Sequence, residues 1–229
     1  MLETLEDFVA LAIANVQHPD LKKRIAVLFN RFNIREARSI VEESNRIPAN
    51  FRGNQEKGAV GEAVVAAAIR RYFGRYDGTG FFDFQYPYWG DRDPGAKFPV
   101  RTMDIIFLKP TGPNSCIAFQ IEAKNYQSVD AGTLNAPHLA KQIVKDERYL
   151  NPRIRPDRPL IPVWWFLQGL NKSARHKFEA MRFRVVDFTR DPFAGEIEQA
   201  FAIHLPSGSQ PVADISMRSK RSGTPKNIP

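Results

Sequence analysis

Apolar positions recur along this chain with two different periods, and the change of period divides it. Over residues 1–50 the period is helical. Leu5, Phe8, Val9, Ala12, Ile13 and Val16 mark one stripe, and Leu21, Ile25, Leu28, Phe29 and Phe32 mark a second after the break at His18-Pro19. A third short helix is expected from Arg35 to Ser44, ending before Ile47-Pro48. Three short helices bury little apolar surface by themselves, so they should pack on the rest of the chain or mediate a homodimer. The Ala-rich stretch from Gln55 to Phe73 reads as a longer helix, with Glu62, Val65, Ala66, Ile69 and Phe73 on one stripe.

Further on the period shortens to two. Phe81 to Tyr86, Asp104 to Leu108 and Ile117 to Lys124 read as strands, and Leu160 to Leu167, with Trp164 and Trp165, is apolar on both faces as a buried strand requires. Phe183 to Phe188 returns as a final strand. Helical patterns intervene from His138 to Leu150 and from Asn171 to Met181. This alternation predicts an α/β fold, a mixed central sheet flanked by helices, with an N-terminal helical extension. The tail from Pro206 to Pro229 turns to Ser, Pro, Gly and basic residues and is expected to be flexible. The chain thus divides into an extension (1–50), an α/β body (51–205) and a basic tail (206–229).

Strand alternation carries the chemistry. Gln120, Glu122 and Lys124 share one face, while Ile117, Phe119, Ile121 and Ala123 fill the other. Asp104, opening the preceding strand, can bring a second carboxylate to the same place. Two hard oxygen donors suit Mg²⁺, which keeps several waters and bridges to phosphate. A lysine beside them can orient a nucleophilic water or stabilise the transition-state anion. Glu62 lies on an apolar stripe, where a carboxylate is costly unless paired or bound to metal. Its place in the first turns also has a plainer reason, the favourable field of the helix N-terminus. On the helix from His138 to Leu150, Gln142, Asp146 and Tyr149 fall at i, i+4 and i+7 beside the apolar Leu139, Ile143 and Leu150, so Gln142 sits near the core edge.

The order Glu62 on a helix, Asp104 on a strand, Glu122-x-Lys124 on the next strand and Gln142 on the following helix resembles the PD-(D/E)XK, or restriction-endonuclease-like, nuclease superfamily. The resemblance runs from Gln55 to Phe188. It implies a Mg²⁺-dependent nuclease, with Mn²⁺ able to substitute, in which Asp104 and Glu122 bind metal, Glu62 gives an auxiliary metal or water contact, Lys124 is catalytic and Gln142 supports it. Met103 stands where the family name has proline, a position that supplies no chemistry. Asp83, Asp91 and Asp93 compete with Asp104, which is preferred because an apolar strand follows it directly. Gln142-Ile143-Val144-Lys145-Asp146 with Tyr149 also looks like the helix after the active-site strand in nuclease toxins of bacterial competition systems. That implies an antibacterial effector with an acidic immunity protein. A restriction or repair endonuclease, and a catalytically inactive nucleic-acid-binding module, are the alternatives.

Charge agrees with a polyanionic partner. The net charge is +8 and the isoelectric point 9.7. Residues 1–50 carry seven basic and seven acidic side chains, so the whole excess lies beyond them. DNA is the expected substrate, with RNA left open, because phosphate contacts supply most non-specific affinity. Arg92, Lys97 and Arg101 are candidates to grip the backbone, with Trp89 available for stacking; a plain surface loop is the equal alternative. The helix from Asn171 to Met181 has a basic face of Lys172, Arg175, His176 and Lys177. Cys116 is the only cysteine, which excludes an intramolecular disulfide and a cysteine zinc site. Neither a signal peptide nor an apolar run near 18 residues is present, so the expectation is a cytoplasmic protein without a membrane partner, in its own cell or delivered into another.

Overall fold

The structure, a computed structural model, describes residues 4–73, 82–88, 101–112, 115–125, 132–135, 137–150 and 160–202. It is a mixed α/β fold. Helices α1 (Leu5–Asn15), α2 (Pro19–Asn30), α3 (Ile34–Ser44) and α4 (Phe51–Phe73) precede strands β1 (Phe82–Tyr88), β2 (Arg101–Gly112) and β3 (Ser115–Lys124). Then come α5 (Pro137–Leu150), β4 (Leu160–Phe166), α6 (Lys172–Ala180), β5 (Arg184–Asp187) and α7 (Phe193–Ala200). The five strands lie in sequence order, β1 to β3 antiparallel and β3 to β5 parallel.

Local chemistry sets the helix starts. Thr4 and Asp7 cap α1 reciprocally, Asn33 caps α3 and Asn171 caps α6. No side chain of its own caps α2, which begins with Pro19. Instead Glu56, from α4, accepts from the backbone N–H of Gln17 at 2.6 Å and of His18 at 3.0 Å, and from His18 Nδ1 at 2.8 Å.

Strand alternation sorts the apolar residues onto two faces. On one, Ile105, Phe107, Phe119, Ile121, Val163, Trp165 and Val186 pack in one cluster with α4, α7 and the apolar stripes of α1, α2 and α3. The N-terminal helices therefore share a core with the sheet. On the other, Trp164, Phe166 and Val185 meet Leu139 and Ile143 of α5, and Ala174 and Phe178 of α6. Helix α4 is buried almost all round rather than along the single stripe expected, because helices cover one side of it and the sheet the other. Alanines permit that close approach on both sides. Helix α7 is not foreshadowed by the hydrophobic pattern. The expected strands and remaining helices are present, with β1 and β2 running longer than their patterns implied, and with α4 starting at Phe51, which puts Glu62 in mid-helix rather than in the first turns.

Candidate active site

The carboxyl end of β3 concentrates the polar groups. Gln120, Glu122 and Lys124 are buried on the face that packs against α5 and α6, with Glu122 5% and Lys124 6% exposed. Ile105 pairs with Ile121 and Ile106 with Gln120, so continuing the register one step sets the half-buried Asp104 across from Glu122. The alternation puts both on the same face.

Three donors enclose the Glu122 carboxylate. Lys124 Nζ donates to its Oε1, and Gln142 Nε2 donates to the same oxygen at 2.5 Å. Gln120 Nε2 donates to Oε2 at 3.1 Å. Lys124 Nζ also donates to Gln142 Oε1 at 2.9 Å, which closes a three-residue ring. A buried ion pair survives only when such bonds offset its desolvation. The ammonium lies 4.8 Å from the ring centre of Trp164, and Trp164 Nε1 donates to Asp146 Oδ2 at 3.0 Å. Gln142 and Asp146, one turn apart on α5, thus support Lys124 directly and through the indole.

Glu62 enters from α4, which passes the same strand end. Gly61 makes this approach feasible: a Cβ there would lie 3.1 Å from Asn125 Cβ and 3.0 Å from Leu167 Cδ1. Burial, then the negative charge of Glu122, push the Glu62 carboxyl up to about 7, against the opposing pull of Lys124. A carboxyl group in that range exchanges its proton near neutral pH.

Among the described residues, no group of three His, Cys, Asp or Glu side chains forms a ready-made metal cage. Mg²⁺ does not need one, since it is commonly held by one or two carboxylates plus substrate phosphate. Asp104 and Glu122 are the two carboxylates that the strand register sets on one face. Gln120 Oε1 adds a second fitting feature: it is buried beside Glu122 and has no hydrogen-bond partner among the described residues. An acceptor in that position suits the hydrogens of a hydrated cation.

Of the predicted site residues, Asp104, Glu122, Lys124, Gln142 and Glu62 converge. Arg101 opens β2. Arg92 and Lys97, with Trp89, Asp91 and Asp93, lie outside the described residues, as does the 206–229 tail. The half-buried Arg175 of α6 is committed to Glu196 and Glu179, whereas Lys172, His176 and Lys177 are exposed. Two contributors escape sequence reasoning as site residues. Trp164 and Asp146 read as core and as helix pattern, and only their pairing reveals what they do for Lys124. Gln120 is visible on the polar face, but its bond to Glu122 is not.

Among the described residues, no helix is long and apolar enough to cross a membrane. Comparison of the chain with family models, characterised proteins and solved structures finds no match.

Proposed function

We propose that this chain is a divalent-cation-dependent nuclease of the restriction-endonuclease-like type, hydrolysing DNA phosphodiester bonds. The observation that carries the reading is the buried Glu122–Lys124 pair, held by Gln142 on the face to which the register brings Asp104. A protein without chemistry to perform has little reason to enclose two charges this way, since an apolar pair of similar volume is often as stable.

Asp104 and Glu122 are the residues that would hold Mg²⁺ or Mn²⁺, with Glu62 as an auxiliary contact. When bound, the ion lowers the pKa of a coordinated water and offsets charge on the phosphoryl oxygens. Lys124 supplies a fixed positive charge for the non-bridging oxygen that gains charge as phosphorus is attacked. Its ammonium is held by the Trp164 ring and by Gln142, so little reorganisation accompanies the reaction. In the metal-free site, burial and then the charge of Glu122 raise the Glu62 carboxyl to about 7, so it can hold a proton there near neutral pH. Gln142 fixes the orientation of both Glu122 and Lys124. The net charge of +8 supports a nucleic-acid substrate.

Two of the residues that suggested an antibacterial effector, Gln142 and Asp146, have duties within the site itself. They support a nuclease of effector, restriction or repair type alike. If the role is that of an effector, its immunity protein should be acidic, because opposite charge speeds association.

Glu122→Ala separates this reading from a binding module. A nuclease loses cleavage in that variant while cation-free affinity for duplex DNA stays within about threefold, since that affinity comes from phosphate contacts elsewhere. No cleavage by either protein, with duplex affinity retained in both, would favour the binding module, and equal cleavage by both would reject Glu122 as a site residue.

A further inference from the structure

Asn125, the residue after Lys124, links the end of β3 to α3, α4 and the segment after β4 through its side-chain amide. Nδ2 donates to the backbone oxygen of Lys57 in α4 at 2.8 Å and to Ser44 Oγ at the end of α3 at 3.1 Å. Oδ1 accepts from Gln168 Nε2, just past β4, at 2.7 Å. Ser44 is fully buried and spends its own proton on Val41 O at 2.6 Å, which leaves its oxygen facing Asn125 as an acceptor. On the main chain, Leu167 N donates to Lys124 O at 3.1 Å. Gly61 allows α4 to come down on the Asn125 Cβ.

We propose that Asn125 is a positioning residue, through which the N-terminal helices hold the Lys124 ammonium at the reacting phosphate. The inference rests on the nuclease reading and extends it to α3. Lys124 ends β3, so beyond it the ladder no longer holds the chain. The clasp takes over at the next residue, using both polar atoms of an amide that no isosteric side chain reproduces. Aspartate keeps the shape and the Gln168 bond but sets an acceptor against the Lys57 carbonyl. Helix α3, through Ser44, is then part of what positions Lys124.

The test compares wild type with Asn125→Ala, Asn125→Asp and Ser44→Ala, using plasmid DNA and saturating Mn²⁺, each variant first checked for a native unfolding transition. A displacement of about 1 Å in a catalytic group costs about 100-fold, so kcat is expected to fall about 10- to 100-fold in both Asn125 variants, with KM within about threefold. Ser44→Ala should lose less, and adding it to Asn125→Ala should cost nothing more, because the two share one bond. Wild-type kcat in both Asn125 variants, or losses matched by KM, would overturn the proposal. A second readout is independent of cleavage: the ¹³Cε signal of Lys124, assigned by its loss in Lys124→Arg, should move in Asn125→Ala. If it stays in place, the clasp does not position Lys124. If it moves in a protein that cuts neither DNA nor RNA, the nuclease reading fails and the clasp stands.

Discussion

At the scale of single residues, the site is a set of charges whose states depend on one another. Glu62 is the member whose titration is open to measurement. Burial and the neighbouring Glu122 raise its carboxyl from the ordinary value of 4.5 to about 7, so between these values the folded protein binds a proton that the unfolded chain has released. Folding stability from this group therefore falls as pH rises through that window and levels off above it. Relative to Glu62→Gln, the metal-free wild type should lose on the order of 2–3 kcal/mol between pH 4.5 and 8, read from urea midpoints. A difference between the two proteins that does not change with pH would contradict the placement of Glu62 beside Glu122. Much of this residue set is legible in the sequence, because strand alternation alone puts Glu122 and Lys124 on one face. The role of Asn125 is not, since nothing in a lone asparagine after a strand reveals partners that lie 43, 68 and 81 residues away.

At the scale of elements, one helix organises the others. Helix α4 caps α2 through Glu56, packs beneath α1, α2 and α3, and passes the carboxyl end of β3. Burial raises the Glu56 carboxyl, but the bonds from the His18 ring and from the His18 and Gln17 backbones outweigh it and leave the group below its ordinary 4.5. The sign is then opposite to that of Glu62: the contribution is present above 4.5 and is lost as pH falls through the folded value. Glu56→Ala should cost about 2 kcal/mol at pH 7, because two backbone donors lose their acceptor, and the gap should narrow toward pH 4. Thermal unfolding at the two pH values reads it, and a gap that widens on acidification would contradict the cap. The stripes of α1 and α2 are clear in the sequence because each helix has only one buried face. Helix α7 is not, because Asp191-Pro192 and Gly195 read as turn signals. It forms through tertiary contacts, with Phe193 and Ile197 in the core and Glu196 held by Arg175, Arg190 and the Asp187 backbone.

At the scale of the whole molecule, the N-terminal helices and the sheet work as one unit. Beyond the shared core, Arg38 of α3 binds the segment that follows β5, donating to Phe188 O at 2.8 Å, to Arg190 O at 2.9 Å and to Asp191. The change of hydrophobic period marks residues 1–50 as a distinct segment, but periodicity carries no information about which face of which helix closes on the sheet. Charge adds the outward half of the picture: the excess positive charge lies on the part of the chain that carries the site. Electrostatic contact with phosphates is expected to bring DNA to the protein, and the enclosed carboxylates and lysine to cut it. The most direct test is nicking of supercoiled plasmid by wild type and Lys124→Ala, each with Mg²⁺ and with EDTA. Nicking by the wild type with Mg²⁺ alone, lost at least about 100-fold in the variant, is the predicted result, the size set by losing a group aligned to the transition state. Equal nicking by the folded variant, or nicking that survives EDTA, would contradict the account.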